Sequence, residues 1–243
     1  MINEFLKSRI EDAKTLVQEL NETYEYVSIL GNYVKTKKAL ITTVSSSIDE
    51  LDNECGFVIK VYKDGHYSEY SCDDIRGLHA ENVIDAITIS TPFATSIPCL
   101  KENKHVESFA REDSSSLTDE EIYQRLNAIK EYAHAKDPKV IQVGCVFMKR
   151  ETSKIFVSIN KCLDQKYDWC NAMMQVVVRD GDNIKMNFTG EGEVDSQLVL
   201  DKIDADKDEV IDIALKLLNA RPIEAGTYDI ICDPAVAGLI AHE

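Results

Sequence analysis

No stretch of this 243-residue chain approaches the roughly 18 uninterrupted apolar residues that a membrane helix requires. The N-terminal twenty residues are studded with Glu4, Lys7, Arg9, Glu11 and Asp12, a pattern unlike a secretory signal. No membrane association is expected, and the cytoplasm is the expected compartment. There is also no CxxC pair. The seven cysteines (Cys55, Cys72, Cys99, Cys145, Cys162, Cys170 and Cys232) are odd in number and dispersed, which argues against a disulfide framework and a zinc knuckle. Most are expected to be buried thiols acting as small hydrophobes. Basic residues are scarce, 27 against 43 acidic, for a formal charge of −16. That balance repels a phosphate backbone, so no nucleic-acid partner is expected. Aromatic content is only 7%, yet 44% of residues are hydrophobic and Val, Ile and Leu recur throughout, enough for a full core.

What is present alternates between two periods. Leu6, Ile10, Ala13, Leu16, Val17 and Leu20 recur every three or four residues and predict a first helix. Strands are predicted over 24–34, 39–46, 56–63 and 66–71, with Asp64-Gly65 as a hairpin turn and Lys35, Lys37 and Lys38 as solvated charges at another. A helix is then expected from about Asp74. Residues 91–116 read as a polar connector with little regular structure.

The second half opens on Thr118 and Glu121, a capping box flanked by Leu117 and Ile122 as a hydrophobic staple. Asp137-Pro138 ends that helix. Strands over 140–149, 154–160, 172–179 and 183–189 follow, with Asp180-Gly181 as a turn, and then a helix from about Asp206 to Asn219. Ala39–Val44 aligns with Lys154–Ile159, and Cys55 with Cys170, at a constant offset of 115 residues. The reading is an α+β fold: two related helix–four-strand–helix units, an internal duplication, forming a layered sheet/helix domain. Domain boundaries are expected at 1–224, with halves of about 1–90 and 117–220 and a connector at 91–116. Residues 225–243 would open a further domain.

Candidate chemistry is sparse. The run Asp201, Asp204, Asp206, Asp208 and Glu209 imitates a calcium loop from Asp204, but Glu209 stands where Gly is required and Leu215 where Glu is required. It reads instead as a helix N-terminus, where carboxylates suit the macrodipole. Gly190-Glu191-Gly192 lacks a third glycine and reads as a strand exit. Cys99 and His105 lack an orienting third group, and His66, His79 and His134 need no functional explanation.

The C-terminal stretch says more. Tyr228–Cys232 predicts a short buried strand, and Asp233-Pro234 is an N-cap followed by Pro at the first helical position. Ala235–Glu243 then begins a helix that closes on His242-Glu243. In hydrolytic zinc sites an imidazole binds the metal and an adjacent carboxylate deprotonates the metal-bound water. The run LNARPIEAGTYDIICDPAVAGLIAHE resembles the segment that opens the catalytic domain of the TldD/PmbA family of zinc-dependent peptidases, often called modulators of DNA gyrase. GFVIKVYKDGHYSEYSCDDI and DPKVIQVGCVF resemble the family's first-half hairpin and second-half strand.

The resemblance implies that His242 is a metal ligand and Glu243 the catalytic base. Family members continue as His-Glu-x-x-x-His with a later Cys ligand, and the TldD-type subunit carries this motif where its PmbA-type partner does not. The remaining ligands would lie beyond Glu243. The expectation is therefore the N-terminal domain of a TldD-type peptidase acting on unfolded peptide segments. It would pair with a PmbA/TldE-like subunit or with itself, with zinc in the parent and none bound in this stretch, which alone would be inactive. The alternatives are a non-catalytic interaction module, its His-Glu pair incidental, and a PmbA-like partner subunit.

Overall fold

The computed structural model describes residues 2–87, 98–99 and 101–243. Its centre is a pair of long antiparallel strands, β1 (Tyr26–Thr42) and β6 (Val140–Ser158). Outward from β1 lie β3 (Glu54–Lys63) and β4 (His66–Cys72), with the short β2 (Ser46–Glu50) continuing beside β1 beyond the end of β3. Outward from β6 lies β7 (Lys161–Asp180). Its second half pairs with β8 (Asn183–Glu193) and its first half, in parallel, with β5 (His105–Arg111). The Asp-Gly turns close the β3–β4 and β7–β8 hairpins, with Gly65 and Gly181 at φ of 84° and 60°. The sequence β4-β3-β1-β6-β7-β8 is the order a doubled unit produces, and also the order of any two meanders joined at their first strands.

The helices lie on one face. Alternation places Val27, Ile29, Ala39 and Ile41 of β1 on the same side as Val143, Phe147, Ile155 and Val157 of β6, and all are buried. Two separate clusters form there. Helices α1 (Glu4–Lys7), α2 (Ile10–Leu20) and α3 (Ala80–Ile87) cover Phe57, Ile59 and Ile155. Helices α4 (Asp119–Lys136) and α5 (Ser196–Leu217) cover Phe147, Met174 and Val176. The capping box forms as expected: the Thr118 hydroxyl accepts from Glu121 N, and the Glu121 carboxylate accepts from Thr118 N at 2.8 Å.

The gap between the two clusters explains the main departures from the sequence reading. Lys35–Lys38 and Lys149–Lys154 interrupt the hydrophobic alternation, which suggested turns. They are instead mid-strand residues paired with each other, Lys35 opposite Glu151 and Thr36 opposite Arg150. The polar run marks an uncovered strip of sheet, so four predicted strands are two long ones.

The acidic run is not a helix start either. The helix begins ten residues before Asp206, capped by Asp195, which accepts from Leu198 N. Cross-helix pairs then neutralise the carboxylates mid-helix, Arg125 with Asp201 at 2.5 Å and Lys136 with Asp208 at 2.6 Å. Gly190 to Gly192 lie within β8 rather than beyond it. The helix expected at Asp74 starts at Ala80, because Arg9 claims the Asp74 carboxylate and Gly77 takes a positive φ. The connector expected over 91–116 holds β5, while its residues 91–97 and 100, like 88–90 before it, lie outside the described residues.

Gly31 sits on the covered face of β1, where an added Cβ would stand 2.7 Å from Phe57 Cε1 and 2.9 Å from Ile155 Cγ1. Gly31→Ala is expected to destabilise the fold by about 1–3 kcal/mol. A denaturation midpoint unchanged from the parent would contradict that packing.

Candidate functional site

His242 and Glu243 stand at the end of α6 (Pro234–His242). The local chemistry behaves as the sequence implies: Asp233 caps the helix by accepting from Val236 N at 2.8 Å, with Pro234 in its first turn. Both residues are exposed, as are the described neighbours on the helix. Tyr228–Cys232 is not a buried strand. It is irregular and exposed, with Ile231 completely so, because no described strand offers it a ladder.

The other histidines are engaged elsewhere or stand apart from α6. His105 contacts Glu107 at 2.8 Å, His134 contacts Thr43 at 2.9 Å, His66 opens β4, and His79 precedes α3. Among the described residues no group of three or more His, Cys, Asp or Glu side chains is gathered to hold a metal ion. One exposed imidazole with one carboxylate does not make the four-ligand site that zinc hydrolysis uses. The donors of this stretch therefore do not fit a metal by themselves.

The most organised polar group lies in the gap between the two helix clusters, and sequence reading missed it. Asp113, from the connector, is completely buried and accepts from Lys149 Nζ at 2.9 Å, Ser115 N at 3.1 Å and Ser196 N at 3.0 Å. Its own backbone N–H donates to Asp168 at 2.9 Å, and Asp168 also lies 3.6 Å from Lys149. Burial alone would raise the pKa of Asp113, but these donors outweigh it and hold the pKa at about 2. Beside this knot is a cavity of about 310 Å³ lined in part by Lys35, Lys37, Glu50, Asp113, Lys149 and Glu151. Asp113 and Lys149 already satisfy one another, so neither is free for acid–base work. The group is architectural. Its members come from four segments up to 83 residues apart, with no local motif to announce them.

No family model matches the chain. Two curated relatives do. A metalloprotease of Methanocaldococcus jannaschii is 22% identical over 237 residues, 93% of this chain and 52% of that protein. A metalloprotease of Methanothermobacter thermautotrophicus is 20% identical over 233 residues, 94% and 51% respectively. The chain spans about half the length of the curated relatives it matches. Among solved structures, a proposed modulator of DNA gyrase from Bacteroides thetaiotaomicron superposes with a TM-score of 0.70 at 16% identity, over 91% of this chain and 52% of that one. A second, from Thermotoga maritima, gives 0.67 at 16% identity over 90% and 50%. TldE of Thermococcus kodakarensis gives 0.60 at 13% identity over 86% and 47%.

The chain resembles the TldD/PmbA family. The structural likeness establishes the α/β scaffold, and the relatives carrying the name metalloprotease match it along nearly its whole length. No described helix is long and apolar enough to cross a membrane.

Two outcomes follow from the geometry. Burial pushes the Cys145 and Cys170 thiols up to about 12, while Cys55 and Cys232 are exposed. In the folded protein at neutral pH, thiol labelling read by mass spectrometry is expected at Cys55 and Cys232 and absent at Cys145 and Cys170. Asp113→Asn is expected to cost about 3 kcal/mol by leaving Lys149 poorly compensated. Because the Asp113 carboxyl is depressed on folding, its stabilisation is complete above the ordinary value of 3.8 and is lost as pH falls toward about 2. The variant should therefore show a flatter acid limb in a stability–pH profile, and parallel profiles would contradict the assignment.

Proposed function

We propose that these residues form the N-terminal scaffold of a TldD-like, zinc-dependent peptidase of the cytoplasm. It acts on unfolded peptide segments in partnership with a PmbA/TldE-like subunit or a second copy of itself. The observation that carries the reading is the near-complete alignment of this chain with about half of each metalloprotease relative. In this reading residues 1–224 are the scaffold domain, built from a doubled unit, and residues from 225 onward open the catalytic domain. His242 is a zinc ligand and Glu243 the general base that takes the proton from metal-bound water. The exposed apolar residues Ile223, Ile230, Ile231 and Ile240 support this boundary, since such a segment gains stability only against further structure.

The 243 residues alone are proposed to be inactive, because the described donors do not complete a metal site. Incubation of this chain with a fluorogenic unfolded peptide and added zinc is expected to give no chelator-sensitive cleavage. Such cleavage would overturn the reading. In a polypeptide that carries the catalytic half, Glu243→Gln is expected to lower kcat by roughly 10²–10⁴-fold with little change in KM. An unchanged kcat would remove Glu243 from the chemistry.

A further inference from the structure

The rim of a sheet offers unpaired N–H and C=O groups to any passing strand, and proteins cover or interrupt it. Here the rims differ in cover. Helix α3 packs against β4. Helix α5 lies along β8, fastened where Asn187 Nδ2 donates to Val210 O at 3.2 Å. Strand β5, which joins the first half of β7, has no such cover: all seven of its residues are exposed, Val106 at 79% and Phe109 at 46%. It contains no Pro or Lys, its pairing with β7 runs without a bulge, and no described strand lies beyond it.

The direction of its free groups follows from the inner ladder. His105 N donates to Asn160 O at 3.0 Å, toward β7. Alternation then points the backbone of Glu107, Phe109 and Arg111 inward too, and turns the N–H and C=O groups of Val106, Ser108 and Ala110 outward. Side chains alternate across the two faces of the sheet. Ser108 lies on the helical side, where its hydroxyl donates to Asp164 at 2.6 Å, and Glu107, Phe109 and Arg111 lie on the other. Glu107 contacts His105 at 2.8 Å. Arg111 has no ion pair among the described residues, the adjacent Glu112 being taken by Lys166.

We infer that β5 pairs antiparallel with β5 of a second copy of this chain, about a twofold axis at Ser108. This register sets Val106 opposite Ala110, Glu107 opposite Phe109 and Ser108 opposite itself, so each outward N–H meets an outward C=O. Right-handed strand twist shortens one of the two diagonals between such pairs. Here the short diagonal joins Glu107 to Arg111 of the second copy and brings the two Phe109 rings together, while the two Glu107 side chains lie on the long one. Self-complementarity selects the occupant. An unrelated strand would satisfy the outward backbone groups equally, but a second copy also supplies the carboxylate that Arg111 lacks, and does so twice. The contact is isologous, so it closes at two chains and consumes both open rims. One seven-residue ladder is a small interface, and the dimer is therefore weak and reversible. The inference goes beyond the peptidase reading by specifying one of its two partners. It stands on β5 alone, so its failure would leave the roles of His242 and Glu243 untouched.

The test is sedimentation equilibrium of the intact 243-residue chain over rising concentration, with amide hydrogen exchange read residue by residue. The net charge of −16 opposes self-association at long range, so both are run at about 0.15 M salt, where repulsion is screened beyond about 8 Å. A reversible monomer–dimer equilibrium is expected, with exchange at Val106, Ser108 and Ala110 slowing as the dimer fills. Ser108→Pro removes an outward donor at a position on a sheet edge that tolerates proline, and should abolish the dimer. Arg111→Glu should weaken it by about tenfold, the contact being lost twice, and Glu107→Arg combined with Arg111→Glu should restore it. Met186→Ser with Phe188→Ser, on β8, should leave it unchanged. Melting curves that match the parent establish that the variants fold, and exchange in the unaltered chain tests the contact without any substitution. A chain that stays monomeric up to about 1 mM would overturn the inference. So would a dimer that ignores the β5 variants or is not restored by the charge exchange, protection that appears on β4 or β8 instead, or growth past two chains.

Discussion

The architecture turns on one buried ion pair, Asp113 with Lys149. The sheet carries two separate hydrophobic clusters, and nothing apolar joins them across the strip where Lys35 faces Glu151. Asp113 reaches into that strip from the connector and fastens it to the start of α5 through Ser196 N, to β6 through Lys149 and to β7 through Asp168. Asp195 next door accepts from the Ser114 and Ser115 hydroxyls at 2.6 and 2.5 Å while also capping α5. A buried pair of this kind is a poor source of net stability against a well-packed apolar alternative, but it is costly to break on one side. Its effect here is positional: it ties the connector and the start of α5 to β6 and β7.

That placement leaves the molecule with two unlike faces. The helical side carries carboxylates in cross-helix pairs, such as Lys136 with Asp208 and Asp212. The open side carries an exposed apolar row on β7 and β8 among charges of both signs. A one-sided sheet of this kind buries enough for a stable core and keeps a second surface for assembly. This agrees with a scaffold whose relatives are about twice its length.

The legible parts of the fold were those with local chemistry. The α4 capping box, both Asp-Gly hairpins and the Asp233-Pro234 helix start depend on residues within three or four positions of one another, and all formed as read. The misread parts depended on distant partners. The breaks at Lys35–Lys38 and Lys149–Lys154 imitate turns until each is seen to be the other's pairing partner. The strand expected at Tyr228–Cys232 has the right apolar content but no described ladder to join, so its sequence alone could not place it. Of the candidate site, His242 and Glu243 were legible only through the motif around them; their solvent exposure and isolation from other donors were not.

The sequence by itself determined the class of fold, the helix and hairpin punctuation and the family likeness. These rest on periodicity, on turn residues that tolerate positive φ, and on short-range capping. Tertiary structure alone decided that the polar runs are mid-strand, that Asp113 and Lys149 meet, and that the helices leave one face of the sheet uncovered. Each of those is a property of pairing register and burial between segments far apart in the chain, and strand register is set only when both partners are in place.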